Sequence, residues 1–207
     1  PHVPQYASAN FAGKSKAGLY GDVVEEIDWS MGVLLDLLRE LKIDDRTLVI
    51  FTSDNGAPAR SQQQPAKGAK NAGRFPGRDF AGSNGPLRAG KGTTFEGGLR
   101  VPAICWWPKT LGAGRTVTEP VSSLDLLPTI AALAGAKLPA DRVLDGQDVS
   151  RLLIRDESLP PRMLYHYFGP QLHAVREGKW KLFLPIEQLP EKRLPSLWFV
   201  HQPELFA

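Results

Sequence analysis

The feature that most constrains the fold is a short apolar run, Thr47-Leu48-Val49-Ile50-Phe51-Thr52. Its residues are β-branched, aliphatic or aromatic, with no polar alternation. Alternation marks a strand with one wet face, whereas a continuous apolar run suits a strand covered on both faces, as in a parallel sheet flanked by helices. A helical pattern precedes it. Over residues 17–42, Val23, Ile27, Met31, Leu34, Leu35, Leu38 and Leu41 recur at three- and four-residue steps, which predicts a core-facing amphipathic helix. Asp22, Glu25 and Glu26 fall early in it and Arg39 and Lys42 late, the order that complements a helix dipole. Asp44-Asp45-Arg46 then forms the turn into the strand.

A second apolar run, 101–107, repeats the strand signal and contains the single cysteine, Cys105, read as a structural thiol. Residues 122–134 read as a helix with Ser and Asp at its start and Gly135 as its stop, and a short helix is expected at 149–154. After Pro160-Pro161 the texture changes to short aromatic-rich strands at 163–168, 172–176 and 180–184, the last two joined by the turn Glu177-Gly178-Lys179. The expectation is an α/β body over 1–160 and a small antiparallel β subdomain over 161–207. No apolar stretch approaches the roughly 20 residues that span a bilayer. Pro1-His2-Val3-Pro4 shows neither the basic nor the apolar region of a signal peptide.

Charge is unevenly placed. Between Arg60 and Lys91 seven cations face one acid, a local +6 against a chain total of +3, leaving −3 elsewhere. Such a stripe raises the local concentration of an anionic substrate, or it is simply a solvated loop. The cations are not interleaved with aromatic stacking residues along a strand or helix face, so nucleic-acid binding is disfavoured.

Residues at the carboxyl end of a buried strand lie where α/β sheets place ligands. Asp54 and Asn55 stand there, hard oxygen donors suited to Ca²⁺ or Mg²⁺, although Asp-Asn-Gly is also a plain turn sequence. Lys91, between two glycines, can meet an anion as a point charge or be an exposed loop lysine. His2 sits on a proline-stiffened segment and is either an acid, base or anion contact or an ordinary surface residue. His166, His173 and His201 are open to the same two readings, pocket or surface.

Five segments in series resemble the sulfatase family: Pro1-His2-Val3-Pro4-Gln5-Tyr6; Tyr20-Gly21-Asp22-Val23-Val24-Glu25-Glu26-Ile27-Asp28-Trp29-Ser30-Met31-Gly32; Thr52-Ser53-Asp54-Asn55-Gly56; Gly90-Lys91-Gly92-Thr93-Thr94-Phe95-Glu96-Gly97-Gly98; and Leu124-Asp125-Leu126-Leu127-Pro128-Thr129. The resemblance runs from residue 1 to about residue 182. It implies an alkaline-phosphatase-like α/β core, a mixed or parallel sheet flanked by helices, and hydrolysis of sulfate esters. It also implies a formylglycine nucleophile made from the Cys or Ser of a Cys/Ser-x-Pro-x-Arg motif, bound to a divalent cation, Ca²⁺ ahead of Mg²⁺. On the matching motifs Asp54 and Asn55 fall on metal ligands, Lys91 on the sulfate-contacting lysine, and His2 on a histidine beside the sulfate and the ester oxygen. Export from the cytoplasm is the family's common habit.

The sequence also departs from the pattern. The nucleophile motif and a pair of acidic ligands lie upstream in the family and have no counterpart here. Ser158-Leu159-Pro160-Pro161-Arg162 fits the Ser form of the motif, but it follows the lysine segment instead of preceding it and leads into a strand. It reads as a connector. Leu205-Phe206 resembles the start of a closing Leu-Tyr/Phe-Asp-Leu stretch, so a chain cut at both ends and inactive in isolation is expected. Two other readings stay open: a phosphonate or phosphodiester hydrolase of the same superfamily, and a sulfatase-like protein that binds sulfated glycans without cleaving them.

Overall fold

The computed structural model of the chain describes residues 5–58 and 82–186, with the backbone of 204–206. These form two compact units, one running to Cys105 and the other starting at Trp106. Among the described residues no helix is long and apolar enough to cross a membrane.

In the first unit, helix α1 spans Gly18–Glu40, close to the expected 17–42. Its end is closed by Leu41 N–H and Lys42 N–H, which donate to Leu37 O and Arg39 O, and by Ile43 N–H, which donates to Leu38 O at 3.1 Å. Lys42 takes the left-handed φ of 55° that this closure needs, a place more often held by glycine. Because the helix starts at Gly18, no acid lies in its first turn. Asp22 therefore does not serve the dipole as the charge pattern suggested. It is buried and accepts backbone N–H bonds from Gly13, Lys14 and Ser15 at 2.8, 3.0 and 2.7 Å. The bond from Ser15, then that from Gly13, hold its carboxyl below the usual range. Glu26, one turn on, accepts from Ser8 N–H at 2.9 Å. The irregular lead-in is thus fastened to the helix by two carboxylates.

Strands β1 (Val49–Thr52) and β2 (Ala103–Trp106) pair in a two-stranded sheet. Both were expected to be covered on two faces. Instead Phe51 is 38% and Ile104 60% exposed, and on α1 Leu34 is 54% exposed. The apolar periodicities are real, but the described residues do not supply the surfaces that would cover them. Cys105 is half-buried, and burial pushes its thiol above the ordinary value, away from reactivity.

In the second unit a 3₁₀ turn, Ser123–Asp125, runs into helix α3 (Leu126–Leu133), after which comes α4 (Ser150–Arg155). The short helix α2 (Glu96–Leu99) belongs to the first unit and is taken up below. Four antiparallel strands follow in sequential order: β3 (Met163–Phe168), β4 (Gln171–Glu177), β5 (Trp180–Phe183) and β6 (Glu204–Phe206). The β4–β5 turn places Gly178 at φ 52°, as expected from its sequence. His173 is 1% exposed, edge-on to Phe183 with ring centroids 5.5 Å apart, so it is neither a surface residue nor a pocket wall. Burial and the charge of Lys181 keep its imidazole below the ordinary pKa. His166 lies half-buried in β3, and His201 is outside the described residues.

The Ser-x-Pro-x-Arg pattern has a structural answer. Ser158 is exposed in coil, whereas Arg162 grips Asp125, its Nη1 2.6 Å from Oδ1 and its Nη2 2.5 Å from Oδ2. Asp125 is 1% exposed and also accepts from the Ser122 and Gln147 N–H groups at 2.8 and 2.9 Å. Burial alone would raise its pKa, but the Arg162 bond, the two backbone donors and the Arg162 charge together carry it below the ordinary value. A depressed carboxylate stabilises the fold above its unfolded pKa of about 3.9, and that contribution is lost as pH falls through the lower folded value. Removing one partner of a buried pair strands the other charge, so Arg162→Ala should cost about 3–5 kcal/mol in urea unfolding. Ser158→Ala should stay within about 0.5 kcal/mol.

Candidate functional site

The candidate site is built from backbone first. At the end of β1 the Thr52 hydroxyl donates to Pro102 O at 3.0 Å, tying the strand's exit to the entrance of β2. The Ser53 hydroxyl donates to Asn55 O at 2.9 Å and closes the bend that carries Asp54. Gly56 N–H then donates to Gly98 O, and Lys91 N–H donates to Ala57 O, both at 3.0 Å. The strand-end turn and the glycine-flanked lysine segment are therefore hydrogen-bonded neighbours, although some 35 residues separate them in sequence.

Three glycines make this contact possible. A Cβ on Gly56 would lie 1.8 Å from Gly97 O, one on Gly97 would lie 2.3 Å from Ala89 O, and one on Gly98 would lie 2.3 Å from Thr93 O. Here backbone touches backbone, and no side chain fits between. Helix α2 begins after Phe95, which is buried under the Arg88 guanidinium, 4.0 Å from the ring centroid. Thr93 is buried and donates its hydroxyl to Gly90 O at 2.8 Å, stiffening the chain on either side of Lys91.

One residue that the sequence reading passed over completes the lacing. Asn84 accepts Ala57 N–H at 2.8 Å and donates through Nδ2 to Ala57 O and Ala89 O, both at 2.9 Å. As Asn-Gly it reads only as a turn, and nothing in its sequence neighbourhood announces what its side chain does.

Of the four candidate residues, Asp54 and Asn55 lie on the turn, exposed and half-buried respectively, and half-buried Lys91 lies on the segment bonded to it. His2 lies outside the described residues. Among the described residues no three His, Cys, Asp or Glu side chains gather where they could hold a metal ion. One carboxylate and one amide are the oxygen donors that Ca²⁺ or Mg²⁺ takes, and they fit as part of such a ligand set, too few to be the whole of it.

A mixed α/β chain with polar side chains at a strand end has the general layout of an α/β enzyme. The sulfatase family model matches residues 1–136, and the chain belongs to that family. It is 44% identical over 189 residues to human steryl-sulfatase, covering 88% of this chain and 30% of that protein. It is 46% identical over 180 residues to the dog N-acetylgalactosamine-6-sulfatase, covering 87% of this chain and 31% of that protein. The crystal structure of the PsFucS1 sulfatase from Pseudoalteromonas sp. superposes with a TM-score of 0.80 at 27% identity, over 100% of this chain and 40% of that one. The chain thus spans about a third of the length of these relatives. The shared fold is mixed α/β with an antiparallel sheet.

The glycine contact yields a sharp contrast in stability. Gly56→Ala should destabilise by at least about 2 kcal/mol, since a backbone carbonyl blocks the methyl group. Gly32→Ala, in mid-helix with nothing within 4 Å, should stabilise by about 0.5–1 kcal/mol. Paired urea titrations of the two variants measure both.

Proposed function

We propose that the protein carrying this chain hydrolyses sulfate esters, with Asp54 and Asn55 helping to hold a divalent cation, Ca²⁺ before Mg²⁺, and Lys91 and His2 acting on the substrate. The observation that carries the reading is the pair of backbone bonds joining the Asp54–Asn55 turn to the Lys91 segment, within a chain of the sulfatase family. The cation, held in part by Asp54 and Asn55, would supply Lewis acidity, and a formylglycine hydrate would supply the nucleophile.

The roles follow from charge. Sulfuryl oxygens need fixed positive charge as the ester is attacked, and Lys91 supplies it from a backbone that other peptide groups hold still. An amide at Asn55, in place of a second carboxylate, leaves more of the cation's charge uncompensated and so favours an anionic substrate. The leaving oxygen gains negative charge, and His2 as imidazolium would protonate it. The relatives are named for a steryl and for a sugar sulfate, and similarity to both supports the ester class without selecting between them. The same reading has the α/β part at 1–160, the antiparallel subdomain at 161–207, an extracytoplasmic location, and no turnover by this chain alone.

The test is substitution at Lys91 in the complete catalytic domain. Lys91→Ala should lower turnover of an aryl sulfate at least about 100-fold, the scale of losing one transition-state charge partner, with Ca²⁺ affinity held within about twofold. Unchanged turnover removes Lys91 from the site. Absence of any Ca²⁺ binding that Asp54→Ala weakens would remove the metal assignment.

A further inference from the structure

We propose that Asn84 is the positioning residue of this site: its side-chain amide fixes the separation between the Asp54–Asn55 turn and Lys91. The proposal rests on the sulfatase reading of those three residues.

An amide side chain is the one kind that can imitate a peptide unit, offering an acceptor and two donors in one plane. Asn84 uses all of this. It exchanges both hydrogen bonds with Ala57, as a neighbouring strand would, and its second donor reaches Ala89 O. Ala57 is two residues past Asn55, and Ala89 is two residues before Lys91. Ala57 O in turn accepts Lys91 N–H at 3.0 Å. The side chain therefore stands as a missing rung between two stretches of backbone that each end in a candidate reacting group. Asp at this position would keep the shape but set a carboxylate oxygen against two carbonyl oxygens. Gln would add a methylene and push the two stretches apart. Displacement of about an ångström at a reacting group is enough to cost orders of magnitude in rate, so a residue that touches neither substrate nor metal can still govern turnover.

The experiment is a double-mutant cycle in the complete catalytic domain: the parent, Asn84→Ala, Lys91→Ala and the pair. Two measurements are made: steady-state kinetics on an aryl sulfate, for kcat and KM, and the dissociation constant for inorganic sulfate with the metal removed. Asn84→Ala should lower kcat and weaken sulfate binding about tenfold each in the parent, yet change either by less than about twofold once Lys91 is already alanine. Losses that multiply in the double variant would make Asn84 a general support of the fold and overturn the proposal. If Lys91→Ala alone leaves both quantities unchanged, the sulfatase assignment of Lys91 fails and Asn84 has nothing to position, an outcome distinct from the first. Where Asn84→Ala gives no soluble protein, Asn84→Asp runs the same cycle with the same expectation. Parental kinetics in either variant overturn the proposal.

Discussion

Everything proposed for this chain depends on one contact in which peptide backbone lies directly on peptide backbone, with Gly56 against Gly97 and Gly97 against Ala89. Peptide groups brought that close must satisfy one another, because water is excluded and an unpaired buried N–H or C=O is costly. They do so through Gly56 to Gly98 and Lys91 to Ala57. The polar residues at the end of β1 and the lysine thus share a neighbourhood as a by-product of backbone pairing. A tether made of main chain is stiffer than one made of long side chains, which suits groups that must hold charge in place while chemistry proceeds.

Much of the architecture was legible because it depends on local pattern. The 3.6-residue period over α1, the apolar runs of β1 and β2 and the aromatic strands after Pro161 each reflect one short stretch meeting one kind of environment. The extent of burial was not legible. Whether Phe51 or Ile104 is covered depends on what packs above it, and the strand's own residues say nothing of that. The roles of individual polar residues were equally opaque. Asp22 looked like a dipole partner and instead binds three backbone donors; Arg162 lay in a stretch read only as a connector and neutralises Asp125; His173 was open to pocket or surface and is buried. In each case the partner is distant in sequence or is a main-chain group, and neither leaves a mark on residue type. Asp54, Asn55 and Lys91 stood out by their place at a strand end and between glycines and were given roles by resemblance, whereas the bonds of Asn84 are seen only in the geometry.

Asp22 and Asp125 show how this fold uses buried charge. Each carboxylate accepts several N–H groups, but Asp22 does so from the backbone of one tight loop, whereas Asp125 adds a guanidinium 37 residues away. The first arrangement is local and orders a lead-in segment. The second is long-range and joins a 3₁₀ turn to the start of an antiparallel sheet. Both hold their pKa values down, so both favour the folded state at neutral pH more than in acid.

The Asn84 rung spans 27 residues back to Ala57, and the Thr52 bond spans 50 to Pro102. Closing a loop of that size costs an entropy that grows only with the logarithm of its length, about 0.6 kcal/mol for each doubling. The cost of bringing Ala57 and Asn84 together therefore depends only weakly on how many residues lie between them, and the bonds at the junction decide whether they meet.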